Sequence, residues 1–181
     1  MQRAGPESSG PRAFDPLLAP DRGVNPGPRP EIRVRAYRRH DLPRLYELDQ
    51  SCFPPDIAYS RADLRYFLAS PRCFCWVAES PSDSVAGFII VERVRRSGSM
   101  TGHIVTIDVG AQMRRQGVGR LLMETAEEQL TREGAILMSL EVAEDNLPAQ
   151  VFYRRLGFAE VGRIPKYYAA RQDARVMEKR L

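Results

Sequence analysis

The sequence is short of the side chains that ligate metals or staple small folds: 181 residues carry three cysteines and two histidines. Cys52, Cys73 and Cys75 are odd in number and lack metal-ligand spacing, so no metal site is expected. They read as small apolar residues in a reducing compartment. No stretch approaches the roughly 20 apolar residues of a membrane span, and the N-terminus lacks the contiguous apolar segment of a secretory signal. A soluble, cytoplasmic protein with no membrane partner is the expectation. Neither of the familiar phosphate loops, G-x-x-x-x-G-K-[ST] or G-x-G-x-x-G, occurs, and no internal repeat is visible.

What is present is globular. A hydrophobic content of 43% and a length sufficient for one core predict a single domain. The net charge of +4 and pI near 9.2 suit an anionic small-molecule or ribosomal partner without establishing direct nucleic-acid binding, which is not expected. Residues 1–30 hold seven of the fourteen prolines and four glycines. Such a composition cannot bury enough surface to offset its ordering entropy, so it is expected to be a disordered leader, with the folded domain spanning 31–181.

Within that domain the hydrophobic periods alternate. Ile32, Val34 and Ala36 mark a half-buried strand. Asp41, as cap, and Pro43 open a helix to about Ser51, and Ser60 caps another over Arg61–Ala69. Arg72–Glu79 and Val85–Arg93 form a hairpin about the turn residues 80–84. A strand over Thr101–Val109 precedes a helix with Leu121, Leu122, Ala126 and Leu130 at helical spacing, which Gly134 stops. The strand Ala135–Val142 follows, then a helix capped by Asn146 and ended by Gly157. Phe158–Ile164 and Arg175–Leu181 close the chain as strands, with Lys166-Tyr167-Tyr168 in the loop between them. The order β-α-α-β-β-β-α-β-α-β-β predicts an α/β domain with a mixed sheet.

One stretch carries a chemical signal. The β-branched run Ile104–Val109 leads through Gly110 into Arg114-Arg115-Gln116-Gly117-Val118-Gly119-Arg120, which opens a helix. A helix start leaves four N–H groups without internal acceptors and carries roughly half a positive charge. Gly117 and Gly119 let the backbone approach a ligand, while Arg114, Arg115 and Arg120 add positive charge. The expected ligand is a phosphate or pyrophosphate.

This turn, read as Arg114-x-x-Gly117-x-Gly119, resembles the [QR]-x-x-G-x-[GA] signature of the GCN5-related N-acetyltransferases (GNAT). Three further stretches extend the likeness: Asp49–Phe53 with Pro54, Leu140–Asn146, and Phe152-Tyr153-Arg154-Arg155-Leu156-Gly157-Phe158. From Ile32 to Leu181 nearly every element has its counterpart in that family, and the four stretches are most similar to ribosomal-protein-alanine N-acetyltransferases and other protein N-terminal acetyltransferases. The resemblance implies the GNAT fold, a mixed, largely antiparallel central sheet splayed between its fourth and fifth strands and flanked by helices.

The resemblance also implies acetyl-coenzyme A as co-substrate and a residue-by-residue site. Its pyrophosphate would lie on Arg114, Arg115, Gln116, Gly117, Val118, Gly119 and Arg120. The acetyl-pantetheine arm would lie along Ile107, Asp108 and Val109, where a backbone N–H could polarise the thioester, and Asn146 would touch the coenzyme as well as cap its helix. Glu141, a carboxylate near the end of an apolar strand, would be the general base, and Tyr153 the general acid near the coenzyme sulfur. His103, at the start of the central strand, is the alternative base. Phe53, Pro54, Tyr167 and Tyr168 would line the cleft for a peptide or protein N-terminus, on a ribosomal protein among the candidate substrates. Acetylation of a small amine or a lysine, and a non-catalytic acetyl-coenzyme A-binding regulator, remain alternatives at this stage. Retention of Glu141 and Tyr153 argues against the last.

Overall fold

A computed structural model describes residues 31–168 and 172–181; the leader expected over 1–30 lies outside the described residues. The elements are β1 (Arg33–Ala36), α1 (Leu42–Cys52), α2 (Arg61–Ala69), β2 (Cys73–Ser80), β3 (Asp83–Arg96), β4 (Ser99–Val109), α3 (Val118–Arg132), β5 (Leu137–Ala143), α4 (Leu147–Arg155), β6 (Ala159–Tyr168) and β7 (Gln172–Arg180). The strands form one seven-stranded sheet in the order β1-β2-β3-β4-β5-β7-β6. Every neighbouring pair is antiparallel except β4 with β5. Among the described residues no helix is long and apolar enough to cross a membrane.

Strand alternation sends successive side chains to opposite faces, and each face has its own core. Ile89, Val91, Ile104, Ile107, Met138 and Leu140 pack beneath α3 and α4. Phe88, Ile90 and Val105 pack with Leu45, Leu48 and Leu64 of α1 and α2 on the other side. Burying each such side chain contributes on the order of 1.5–3 kcal/mol.

The register of β3 against β4 contains the feature on which the site depends. Ile90 lies opposite Thr106, but Val91 lies opposite Ile104, so Val105 is an extra residue. This bulge explains why Ile104 and Ile107, three apart, both face the α3 core while Val105 faces the other. Bulges bend and twist the strand that carries them. Beside this one the parallel pairing of β4 and β5 stops, after only two residue pairs, Gly102 with Met138 and His103 with Ser139. Beyond them β5 continues along β7 as far as Ala143, leaving a fork between the fourth and fifth strands.

Two local expectations are corrected. Asp41 stands at the N-cap position of α1, but its side chain does not cap the helix. Its buried carboxylate accepts the Arg38 N–H at 2.7 Å and the Arg35 guanidinium at 2.7 and 3.0 Å, closing a 3-10 turn that precedes the helix. Lys166, Tyr167 and Tyr168 are the last three residues of β6 and do not lie in a loop. Lys166 takes a left-handed conformation (φ 55°) and donates its N–H to Asp173 Oδ1 at 2.8 Å, after which pairing resumes at Tyr168 with Gln172. The expected caps of α2 and α4 are formed: Ser60 Oγ accepts from Asp63 N at 3.2 Å, and Asn146 Oδ1 from Ala149 N at 3.1 Å.

Candidate active site

The fork is where the polar side chains converge. His103 and Ser139, the last paired residues of β4 and β5, are both buried and face away from the α3–α4 core. His103 Nδ1 lies 3.0 Å from Ser139 Oγ. Two residues on, Glu141 presents its carboxylate on the same face, with Oε2 3.3 Å from His103 Nε2. That approach lies off the ring N–H direction, so it is an electrostatic contact and not an aligned hydrogen bond. Tyr167 donates its hydroxyl to the same oxygen at 3.4 Å, and Tyr168, stacked edge-on against Tyr167, donates to the Glu141 carbonyl at 3.1 Å. Burial, and next the Glu141 charge, push the Tyr167 phenol well above its ordinary value, so it stays a donor. Sequence reasoning thus reaches both candidate bases and both tyrosines, and the structure brings all four together.

Tyr153 belongs to the other side. It is fully buried in α4 within the α3–α4 core, its ring against Phe152 and Phe158 at 5.3 and 5.9 Å. Glu141 and His103 thus lie on one face of the sheet and Tyr153 on the other.

The turn before α3 forms a concave site of about 200 Å³ lined by Val109, Arg115, Gly117, Gly119, Phe152 and Arg155 among others, with no acidic side chain. Gly117 is left-handed (φ 89°), and a Cβ there would meet nothing within 4 Å, so space stands open over the first N–H groups of α3. These features fit a phosphate-bearing ligand. The candidate cations differ from one another. Arg114 turns back, its Nε donating to Val109 O at 3.2 Å and its Nη2 approaching Cys52 Sγ at 3.9 Å. Arg120 pairs with Glu124 at 2.7 Å along the helix, and Gln116 Nε2 closes onto Gln112 O at 2.6 Å. Arg115 is exposed at the mouth. Arg155, which sequence reasoning did not single out, joins the lining from α4; the basic end of that helix was its one signal.

Asp108 does not reach the fork with its side chain. It is fully buried on the α1 side, where Thr106 Oγ1 donates to its Oδ2 at 2.9 Å. Burial, and next the charge of Asp49, hold its carboxyl well above the ordinary range. Any contact with a ligand in the fork falls to its backbone. Asp49 in turn accepts the Tyr59 N–H at 2.7 Å, and Tyr59 donates its hydroxyl to Val105 O at 3.4 Å. This pins the segment after α1, with half-buried Phe53 and exposed Pro54, to the back of the bulge. Buried Gln150 donates to the carbonyls of Ala143 (3.1 Å) and Glu144 (2.8 Å), fixing the turn between β5 and α4. Neither Tyr59, Gln150 nor Ser139 could be singled out from spacing, because each acts through a partner set by tertiary register.

The sequence profile described as the acetyltransferase (GNAT) family matches residues 42–158. The chain is 30% identical over 116 residues to N-alpha-acetyltransferase 30 of Schizosaccharomyces pombe, covering 64% of this chain and 77% of that one. It is 29% identical over 137 residues to the N-alpha-acetyltransferase RimI of Mycobacterium tuberculosis, covering 76% and 84%. Its structure is similar to that of the ribosomal-protein-S18-alanine N-acetyltransferase of Escherichia coli, with a TM-score of 0.72, 25% identity, and coverage of 83% and 94%.

Proposed function

Since the chain belongs to the acetyltransferase (GNAT) family, enzymes that transfer acetyl from acetyl-coenzyme A to an amine, we propose that its acceptor is the N-terminal α-amino group of a protein. The observation that carries this reading is the fork. A base candidate and two tyrosines face one side beside the Phe53–Tyr59 segment, and an anion site without acidic side chains opens at the start of α3. The two relatives named as N-alpha-acetyltransferases, and the similar structure of a ribosomal-protein-S18-alanine N-acetyltransferase, support the same acceptor class.

The coenzyme supplies an acetyl thioester. The residues supply the rest. Unpaired N–H groups at the start of α3, with Arg115 and Arg155, hold the pyrophosphate, and the backbone of Ile107 and Val109 beyond the bulge aligns the arm. A backbone N–H near Ile107 polarises the carbonyl. Glu141 removes the proton that makes the substrate amine an ammonium, and the freed lone pair forms the N–C bond as the C–S bond breaks. Tyr153, on the opposite face, gives its proton to the departing sulfur, and the second proton that the nitrogen sheds as the amide forms passes to water, from which the phenol is restored. Phe53, Pro54, Tyr167 and Tyr168 line the acceptor side. An α-amine loses its proton about 3 kcal/mol more easily than a lysine, from ordinary pKa values of about 8 and 10.4, which suits a carboxylate base.

Coenzyme A release assayed against peptides varied at the first residue, with polyamines and free lysine in parallel, tests the proposal. Turnover restricted to peptides with a free N-terminus, with the acetyl group located there by mass spectrometry, is expected. Preferential turnover of lysine side chains or polyamines would replace the α-amine with those acceptors.

A further inference from the structure

The fork poses a choice of base between Glu141 and His103, and the residue that decides it is Ser139. Neutral imidazole carries one N–H and one lone pair, and the ring's two nitrogens here have different neighbours. Nε2 lies 3.3 Å from Glu141 Oε2. A lone pair there would face a carboxylate, whereas an N–H would be attracted to it. Nδ1 lies 3.0 Å from Ser139 Oγ, a hydroxyl able to donate or accept. Both residues are buried, so water is a poor substitute for either partner.

We propose that Ser139 is a positioning residue: its hydroxyl donates to Nδ1 and holds neutral His103 in the Nε2–H tautomer, with Nε2 beside Glu141. The imidazole then has no free lone pair for the substrate. His103 Nε2 lies beside Oε2 and the Tyr167 hydroxyl donates to it, leaving Oε1 of Glu141 to accept the proton of the incoming ammonium. His103 becomes the orienting partner of the base and not the base. This rests on the reading of Glu141 as the proton acceptor. The misaligned contact between Nε2 and the carboxylate accords with catalytic hydrogen bonds that tighten only when substrate binds.

Other charges on this face leave the assignment intact. Glu92 stands opposite His103 on β3 and Glu178 opposite Ser139 on β7. Each is paired to an arginine, Arg72 at 2.9 Å and Arg96 at 3.3 Å. The position also explains why a serine suits this site. As the last residue of β5 paired to β4, it holds the ring at the point where the strands part, and a side chain without a hydroxyl would leave Nδ1 without this partner.

The test has two arms. The first is the 15N spectrum of the imidazoles in the free protein at a pH where the ring is neutral. The other histidine, His40, lies in an exposed turn and is assigned by its loss in His40→Gln. For His103 the expected result is an unprotonated, hydrogen-bonded Nδ1 and a protonated Nε2, with the Nδ1 resonance moving toward that of an unbonded nitrogen in Ser139→Ala. An Nδ1–H tautomer, or an unchanged spectrum in Ser139→Ala, overturns the proposal. The second arm is kinetic. Ser139→Ala should lower kcat about tenfold at unchanged KM for acetyl-coenzyme A, a small share of the 10²–10⁴ of general-base catalysis, and Ser139→Thr should recover it. Full kcat in Ser139→Ala overturns the proposal as well. Because the first arm uses neither acceptor nor coenzyme, it holds or fails independently of which amine is acetylated.

Discussion

Replacing Gly117 by alanine separates the anion site from the backbone that builds it. At φ 89° the residue is left-handed, and an added methyl meets no protein atom within 4 Å. Its intrinsic cost is therefore conformational, about 1–2 kcal/mol for an L-residue in that region. In a domain of this size that lowers Tm by roughly 2–8 °C. Gly134 supplies the matched control. It is equally left-handed (φ 79°), its added methyl also meets nothing within 4 Å, and it lies at the other end of α3. Gly117→Ala and Gly134→Ala should thus lose similar stability alone and differ only with ligand. Coenzyme A at 100 times its Kd stabilises a site by about 2.7 kcal/mol. Gly134→Ala should keep that increment in a thermal melt, and Gly117→Ala, whose methyl enters the space over the α3 N–H groups, should lose most of it. An equal coenzyme-induced shift in the two variants would refute the assignment of this turn as the pyrophosphate site.

The remaining predictions concern the buried groups around the fork. Asp108, its carboxyl held above the ordinary range by burial and by Asp49, binds a proton more tightly folded than unfolded. Its contribution to stability is complete below the unfolded value of about 3.9 and is lost as pH rises toward the folded one. Asp108→Asn, which mimics the protonated group, should therefore gain Tm over the parent by a margin that grows with pH above about 4. A constant offset at every pH would contradict this. Tyr153→Phe keeps the ring contacts with Phe152 and Phe158 while removing the hydroxyl. Turnover should fall at least about tenfold with Tm nearly unchanged, and a wild-type rate would return Tyr153 to packing alone.

How much of this was legible in the sequence differs from element to element. The strand, turn and helix over Ile104–Arg132 were readable because each signal is local: β-branched run, glycine spacing, helical period. The order of elements and the caps at Ser60 and Asn146 follow from equally local chemistry. The bulge at Val105 was not readable, since Ile104-Val105-Thr106-Ile107 has no glycine or proline to mark it and the extra residue exists only relative to β3. The fork, which the family resemblance implied, has its visible cause there. Asp41 misled because an acidic residue before Leu42-Pro43 satisfies the rule for a cap, yet Arg35 across the turn competes for it and wins with two charged hydrogen bonds. Arg114 fits the basic turn by sequence but is spent on the end of β4, and Arg155 takes a place in the lining that only the packing of α4 against α3 provides.

Glu141→Gln shows whether the carboxylate at the fork removes the acceptor's proton. Glutamine keeps the shape and the ability to accept from Tyr167 but cannot take a proton. Steady-state kinetics with a free-N-terminus peptide should show kcat reduced about 10²–10⁴-fold with KM for acetyl-coenzyme A unchanged. A wild-type kcat across the pH range would contradict the account.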